Sequence, residues 1–101
     1  MSMRTAIIPR LEQFLKTDKI GYRRIVLDIF LSRKEFTVDD IYEDLSKMYS
    51  VTRNKVASMI GYIHSKIGSL TSHKESYKTP IVYRIKDEYI ETVSTAIRAP
   101  L

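Results

Sequence analysis

Three groups of side chains carry reactive or ligating atoms at spacings short enough to act together. The first is histidine. His64 and His73 stand nine residues apart, without a His-x-x-x-His or Glu-x-x-His pattern, and the chain has no cysteine to complete a tetrahedral set. A metal site is therefore not expected, and His64 reads instead as a packed or hydrogen-bonded side chain at the edge of a core. The second group is the acidic run Asp39, Asp40, Glu43 and Asp44. It has the residue types for acid–base work by paired carboxylates, but the spacing of a capped, solvated helix face. The three glycines, Gly21, Gly61 and Gly68, are too scattered to form a phosphate-cradling loop, and no Ser/His/Asp arrangement is present. Neither catalysis nor a cofactor is expected, and no small-molecule ligand is legible.

The third group is cationic and rich in hydrogen-bonding atoms: Arg53, Asn54, Lys55, Ser58, Tyr62, Ser65 and Lys66, followed by His73, Lys74, Ser76, Tyr77 and Lys78. Its chemistry suits a polyanion with base edges. Arg and Lys bind phosphate or guanine, Asn can pair with adenine through both of its amide atoms, and hydroxyls orient on phosphate oxygens. The charge distribution supports this. Residues 50 to 86 hold seven basic residues against Glu75 alone, whereas residues 35 to 49 hold five acidic residues against Lys47 alone. The net charge of +5 is modest, so the asymmetry between segments carries more information than the total. A solvated basic surface is the plain alternative. The small side chains of Ser58, Gly61 and Ser65 could equally seat another helix.

Hydrophobic periodicity assigns these groups to elements. Residues 5 to 16 form an amphipathic helix with Ile7, Leu11, Phe14 and Leu15 on one side, and Pro9 is expected in or near its first turn. The run Thr17 to Gly21 breaks the pattern. Residues 22 to 32 are apolar on most sides and read as the central helix. Phe36-Thr37 runs extended, and Thr37 then caps a helix with Asp40 in capping-box spacing and Ile41, Leu45 and Met48 on its apolar face. After a turn of about three residues, Thr52 or Ser50 caps the next helix. Its apolar stripe is Val56, Ile60, Ile63 and Ile67, and Gly68 ends it. At about 100° per residue this stripe leaves Asn54, Ser58, Gly61, Tyr62 and Ser65 facing outward, flanked by Lys55 and Lys66. Ser69–His73 and Ile81–Ile85 form a hairpin with the basic tip Lys74 to Pro80, and a last helix starts at Asp87 with Tyr89, Ile90, Val93 and Ile97 on one side.

A helix, a helix, a short strand, a helix, a turn, a helix and a hairpin make a winged helix-turn-helix, and this chain adds a helix at each end. The fold class expected is therefore mainly α with a small β-hairpin, α+β. All 101 residues form one domain: an N-terminal helix over 1–18, a winged-helix core over 21–86 and a C-terminal helix over 87–101. With 44% hydrophobic and 29% charged residues the chain can bury a single core, which excludes disordered and collagen-like classes. The lack of cysteine excludes disulfide scaffolds, no apolar run approaches the ~18 residues of a membrane span, and Met1-Ser2-Met3-Arg4 does not open a secretory signal. A cytoplasmic location is expected, with no membrane partner.

The stretch from Gly21 to Tyr89 resembles an archaeal family of winged-helix proteins catalogued as a domain of unknown function. The resemblance is carried by Tyr22-Arg23-Arg24, by Phe36 to Tyr42, by Val56 to Gly68 and by His73 to Pro80. It implies the fold and no established activity. Through Phe36-Thr37-Val38-Asp39-Asp40-Ile41-Tyr42 the chain is more distantly similar to the DNA-binding half of ferric-uptake-type regulators. It has none of the Cys/His-rich half through which those proteins sense metal and dimerise.

The function expected is binding to double-stranded DNA, as a transcription regulator. The helix from Thr52 to Ile67 would enter the major groove and the hairpin would lie on the phosphate backbone. The alternative is a winged-helix protein–protein interaction module in transcription or replication machinery, and single-stranded nucleic acid is a weaker third reading. The apolar stripes of the two terminal helices lead to a homodimer joined through the termini, or to a monomer with a thicker core.

Overall fold

The computed structural model describes residues 3–18 and 21–98, with side chains from Ala6 onward. Met1 and Ser2, Lys19 and Ile20 of the expected break, and the last three residues of the expected C-terminal helix lie outside the described residues. The chain is mainly helical. It contains α1 (Met3–Lys16), α2 (Tyr22–Arg33), β1 (Glu35–Phe36), α3 (Val38–Ser46), α4 (Arg53–Tyr62), β2 (Leu70–His73), β3 (Val82–Ile85) and α5 (Ile90–Arg98). A π-helical extension, Ile63–Ile67, prolongs α4, and a 3-10 turn, Asp87–Tyr89, leads into α5.

The central helix is α2, which packs against α1, α3, α5 and the sheet. Tyr22, Val26, Leu27 and Phe30 are buried, and Ile25, Ile29 and Leu31 are half-buried, as its nearly continuous apolar composition requires. Its N-terminus is held by Asp18. The Asp18 carboxylate accepts from the backbone N–H of Gly21, Arg23 and Arg24 at 3.0, 3.1 and 3.2 Å, satisfying donors that a helix start leaves open. Gly21 takes φ +97°, a left-handed conformation that glycine adopts without steric cost.

Thr37 caps α3 through the expected box: its hydroxyl accepts from the Asp40 N–H at 3.1 Å, and the Asp40 carboxylate accepts from the Thr37 N–H at 2.9 Å. Thr52, not Ser50, caps α4, accepting from the Lys55 N–H at 3.1 Å. The stripe Val56, Ile60, Ile63 and Ile67 is fully buried, joined by Met59, and the left-handed Gly68 closes the helix.

The strands form one antiparallel sheet in the order β1-β3-β2. Phe36 pairs with Tyr83 across β1 and β3, while β2 meets β3 from Leu70↔Ile85 to His73↔Val82. Phe36 is the junction of the core. Its ring stacks on Phe30 of α2 at 4.1 Å and on Tyr83 of β3 at 6.2 Å.

Four sequence expectations need correction. Pro9 lies inside α1 rather than in its first turn, because the helix begins at Met3. Its apolar face packs on the core and holds the helix despite the missing N–H donor. Met48 does not extend the apolar face of α3. That helix ends at Ser46, and Met48 is 57% exposed in the following turn. Ile90 is likewise 44% exposed, because the 3-10 turn rotates it away from buried Tyr89 and Val93. Finally, α1 offers no free apolar stripe, since Ile7, Leu11, Phe14 and Leu15 are all buried within the chain itself. No helix among the described residues is long and apolar enough to cross a membrane.

Candidate nucleic-acid interface

The inward stripe of α4 fixes what the helix shows to solvent. Arg53, Asn54, Lys55, Ser58, Tyr62, Ser65 and Lys66 are all exposed, as the periodicity predicts. The hairpin supplies the rest: His73 at the end of β2 and Lys74, Ser76, Tyr77 and Lys78 in the connecting loop are exposed too. Tyr77 is the most open large side chain, at 83%.

These side chains are not equally available. Arg53 is paired with Asp39 across the α3–α4 turn, Nε to Oδ1 at 2.6 Å. The hydrogen bond from Arg53 holds the Asp39 carboxyl below the usual aspartate range and raises the guanidinium above its own. Lys55 lies over the Tyr22 ring, its Nζ 5.3 Å from the centroid, and Lys78 over the Tyr77 ring at 5.7 Å. Ser65 donates its hydroxyl hydrogen to the Gly61 carbonyl at 2.7 Å, so its oxygen retains acceptor capacity. Tyr62 stacks on Phe14 of α1 at 5.8 Å and 16° between planes, which fixes its ring while leaving it half open to solvent. No ion pair to another described residue holds Lys55, Lys66, Lys74 or Lys78.

The loop is braced by its own hydroxyls. Thr79 Oγ1 accepts from the Ser76 N–H at 3.1 Å and donates to the Ser76 carbonyl at 2.9 Å, while Ser76 Oγ accepts from the Lys78 N–H at 3.2 Å. Tyr77 and Lys78 thus project from a closed turn. Ser76, expected to contact a partner, is also part of this brace.

Sequence reasoning passed over several cations. Arg84 of β3 is tied to Glu35 at 3.9 Å and Asp87 at 3.3 Å, and Lys86 lies over the Tyr89 ring. Arg23 stacks on Phe14 at 4.8 Å and donates to the Phe14 carbonyl at 3.0 Å, pinning the end of α1 to the start of α2. Beside these residues runs a groove of about 460 Å³ between α1, α2 and α4, with Phe14, Tyr22, Met59 and Tyr62 in its wall and Lys55 and Ser58 on its rim. The sequence points to its α4 side through Lys55, Ser58 and Tyr62 and to its α1 side through Phe14, without placing them together. His64 sits at the core edge, edge-on to Tyr83 at 5.7 Å. No cluster of three or more potential metal ligands is found among the described residues.

Set beside known proteins, residues 11–93 match the model of a family described as protein of unknown function (DUF2551). An uncharacterized protein of Archaeoglobus fulgidus is 33% identical over 85 residues, a match that spans 83% of this chain and 84% of that protein. No solved structure matches.

Proposed function

We propose that this chain, which belongs to the DUF2551 family, is a winged helix-turn-helix protein of the cytoplasm that binds double-stranded DNA and regulates transcription. In this reading residues 21–86 form the winged core, α1 and α5 are additions to it, α3 and α4 are the helix-turn-helix, and β2–β3 is the wing. The fold reading is supported by the short turn between α3 and α4, by the hairpin that follows α4, and by β1 pairing with β3.

One observation carries the function: from Ser50 to Lys86 the cations outnumber the acids seven to one, and those on the outer face of α4 and on the hairpin loop are exposed and, except for Arg53, form no ion pair with another described residue. The helix would enter the major groove with Asn54 reading a base edge, while Lys55, Ser58, Tyr62, Ser65 and Lys66 contact the groove walls. His73, Lys74, Ser76, Tyr77 and Lys78 would straddle a phosphate strand.

Binding of duplexes at graded salt tests this. With about five phosphates contacted per protomer, log K should fall against log salt with a slope of roughly −4.5. Lys74→Ala with Lys78→Ala should weaken every duplex alike and flatten that slope by about two, whereas Asn54→Ala should change which sequence is preferred. No binding to any duplex at about 50 mM salt would overturn the reading. In that case the aromatic groove beside Ser58 and Tyr62 favours the protein-interaction module, with an apolar side chain of the partner in it.

A further inference from the structure

The apolar surface of α5 is only partly covered by the fold. Val93 is buried and Ala96 and Ile97 pack against the core, but Ile90 stays exposed, and Ile90, Ser94 and Ile97 follow the spacing i, i+4, i+7 along one line. That line borders a groove of about 610 Å³ between α2 and α5, whose α2 wall alternates apolar Ile25 and Leu31 with Arg24, Asp28 and Ser32. Ile90 is 44% exposed there, although α1 has already been folded against the other side of α5.

Charge decides what fits this line. Glu91 lies in the first turn of α5 and Arg98 in the last, and seven residues apart they fall on the same flank of the Ile90–Ser94–Ile97 line. Consider a second α5 laid antiparallel against the first and related to it by a two-fold axis across the helices. The flanks then coincide, so Glu91 of each copy lies beside Arg98 of the other, and Ile90 of each meets Ile97 of the other. Ser94 sits at the middle, small enough for the two helices to approach closely. The opposed helix dipoles are also favourable. A parallel arrangement puts the charged flanks on opposite sides and makes neither pair.

We infer that the α2–α5 groove is a homodimer interface, in which a second copy of this chain docks its α5 antiparallel across a two-fold axis. The inference goes beyond DNA binding and does not depend on it. The interface is isologous, and it leaves α4 and the hairpin loop of both copies outside the contact, since no residue of either lines the groove.

Sedimentation equilibrium of the full chain tests it. The expected mass at about 100 µM is twice the 11.8 kDa of the chain, with Ile90→Lys raising the dissociation constant about 100-fold while the helical circular dichroism stays unchanged. Glu91→Lys should raise it about tenfold, and adding Arg98→Glu to that variant should restore it, because the exchanged charges face one another again across the axis. A monomer throughout this range would overturn the interface, as would a dimer indifferent to Ile90→Lys. A double charge exchange no better than the single one would overturn the antiparallel arrangement.

Discussion

In the proposed DNA complex a phosphate would approach Arg53 at the start of α4, yet its guanidinium already meets Asp39. A duplex would have to take Arg53 from a carboxylate that also repels it. Asp39→Asn removes both effects, so it should tighten duplex binding about twofold to fivefold at low salt and lose that advantage at high salt. Titration of one duplex against parent and variant measures this, and weaker binding by the variant would place Arg53 outside the interface. The second acidic contact serves folding. Arg33 donates to both oxygens of Asp44, Nε at 2.7 Å and Nη2 at 3.0 Å, joining the end of α2 to α3 and holding the Asp44 carboxyl below its usual range. A carboxyl lowered in the folded state adds stability at every pH above its unfolded value and gives it up as pH falls through the folded one. Arg33 is exposed and Asp44 half-buried, so solvent still screens the pair and the contribution is about 1 kcal/mol or less. Asp44→Asn should cost that much in urea unfolding at pH 7, and parent and variant should converge as pH falls below the lowered range of the Asp44 carboxyl.

At the scale of elements, Phe36 ties β1 to both α2 and β3. Phe36→Ala should cost about 3–5 kcal/mol and loosen the sheet first. Ser69 marks the opposite case. Its hydroxyl is buried at the entry to β2 with no hydrogen-bond partner among the described residues, although its carbonyl accepts from the Lys86 N–H at 3.0 Å. Ser69→Ala should therefore raise stability by about 0.5–1 kcal/mol, read from the denaturation midpoint, and a loss of stability would reveal a partner for that hydroxyl. Periodicity and caps were enough to read α2, α3, α4 and the hairpin from the sequence, because burial of a stripe and satisfaction of helix ends are local requirements. What escaped it depends on contacts distant in the chain: the Asp39–Arg53 pair, the Phe14–Tyr62 stack, and the interior position of Pro9, which only packing of the whole α1 face sustains. The exposed site residues were legible because they are the complement of a buried stripe. Their pairings were not, because α3 and α1 supply the partners.

For the whole molecule, the decisive contacts join its two ends. The α1 helix packs on α5, and β1 pairs with β3, so each early element is completed by one of the last to be made. A chain ending at Gly68 lacks β2, β3 and α5, and with them the partners of β1 and part of the cover of α1. It should show no cooperative thermal transition, whereas the full chain should show one; a two-state melt of the shortened chain would show that the helices alone suffice. The sheet order β1-β3-β2 thus has a consequence in time. While the ribosome is still extending the chain, Phe36 lacks Tyr83 and the α1 stripe lacks α5, so native structure should lock in only once Tyr83 and Val93 have emerged. Folding is then a single late event, and the residues of α4 are synthesised well before the elements that complete the core orienting them.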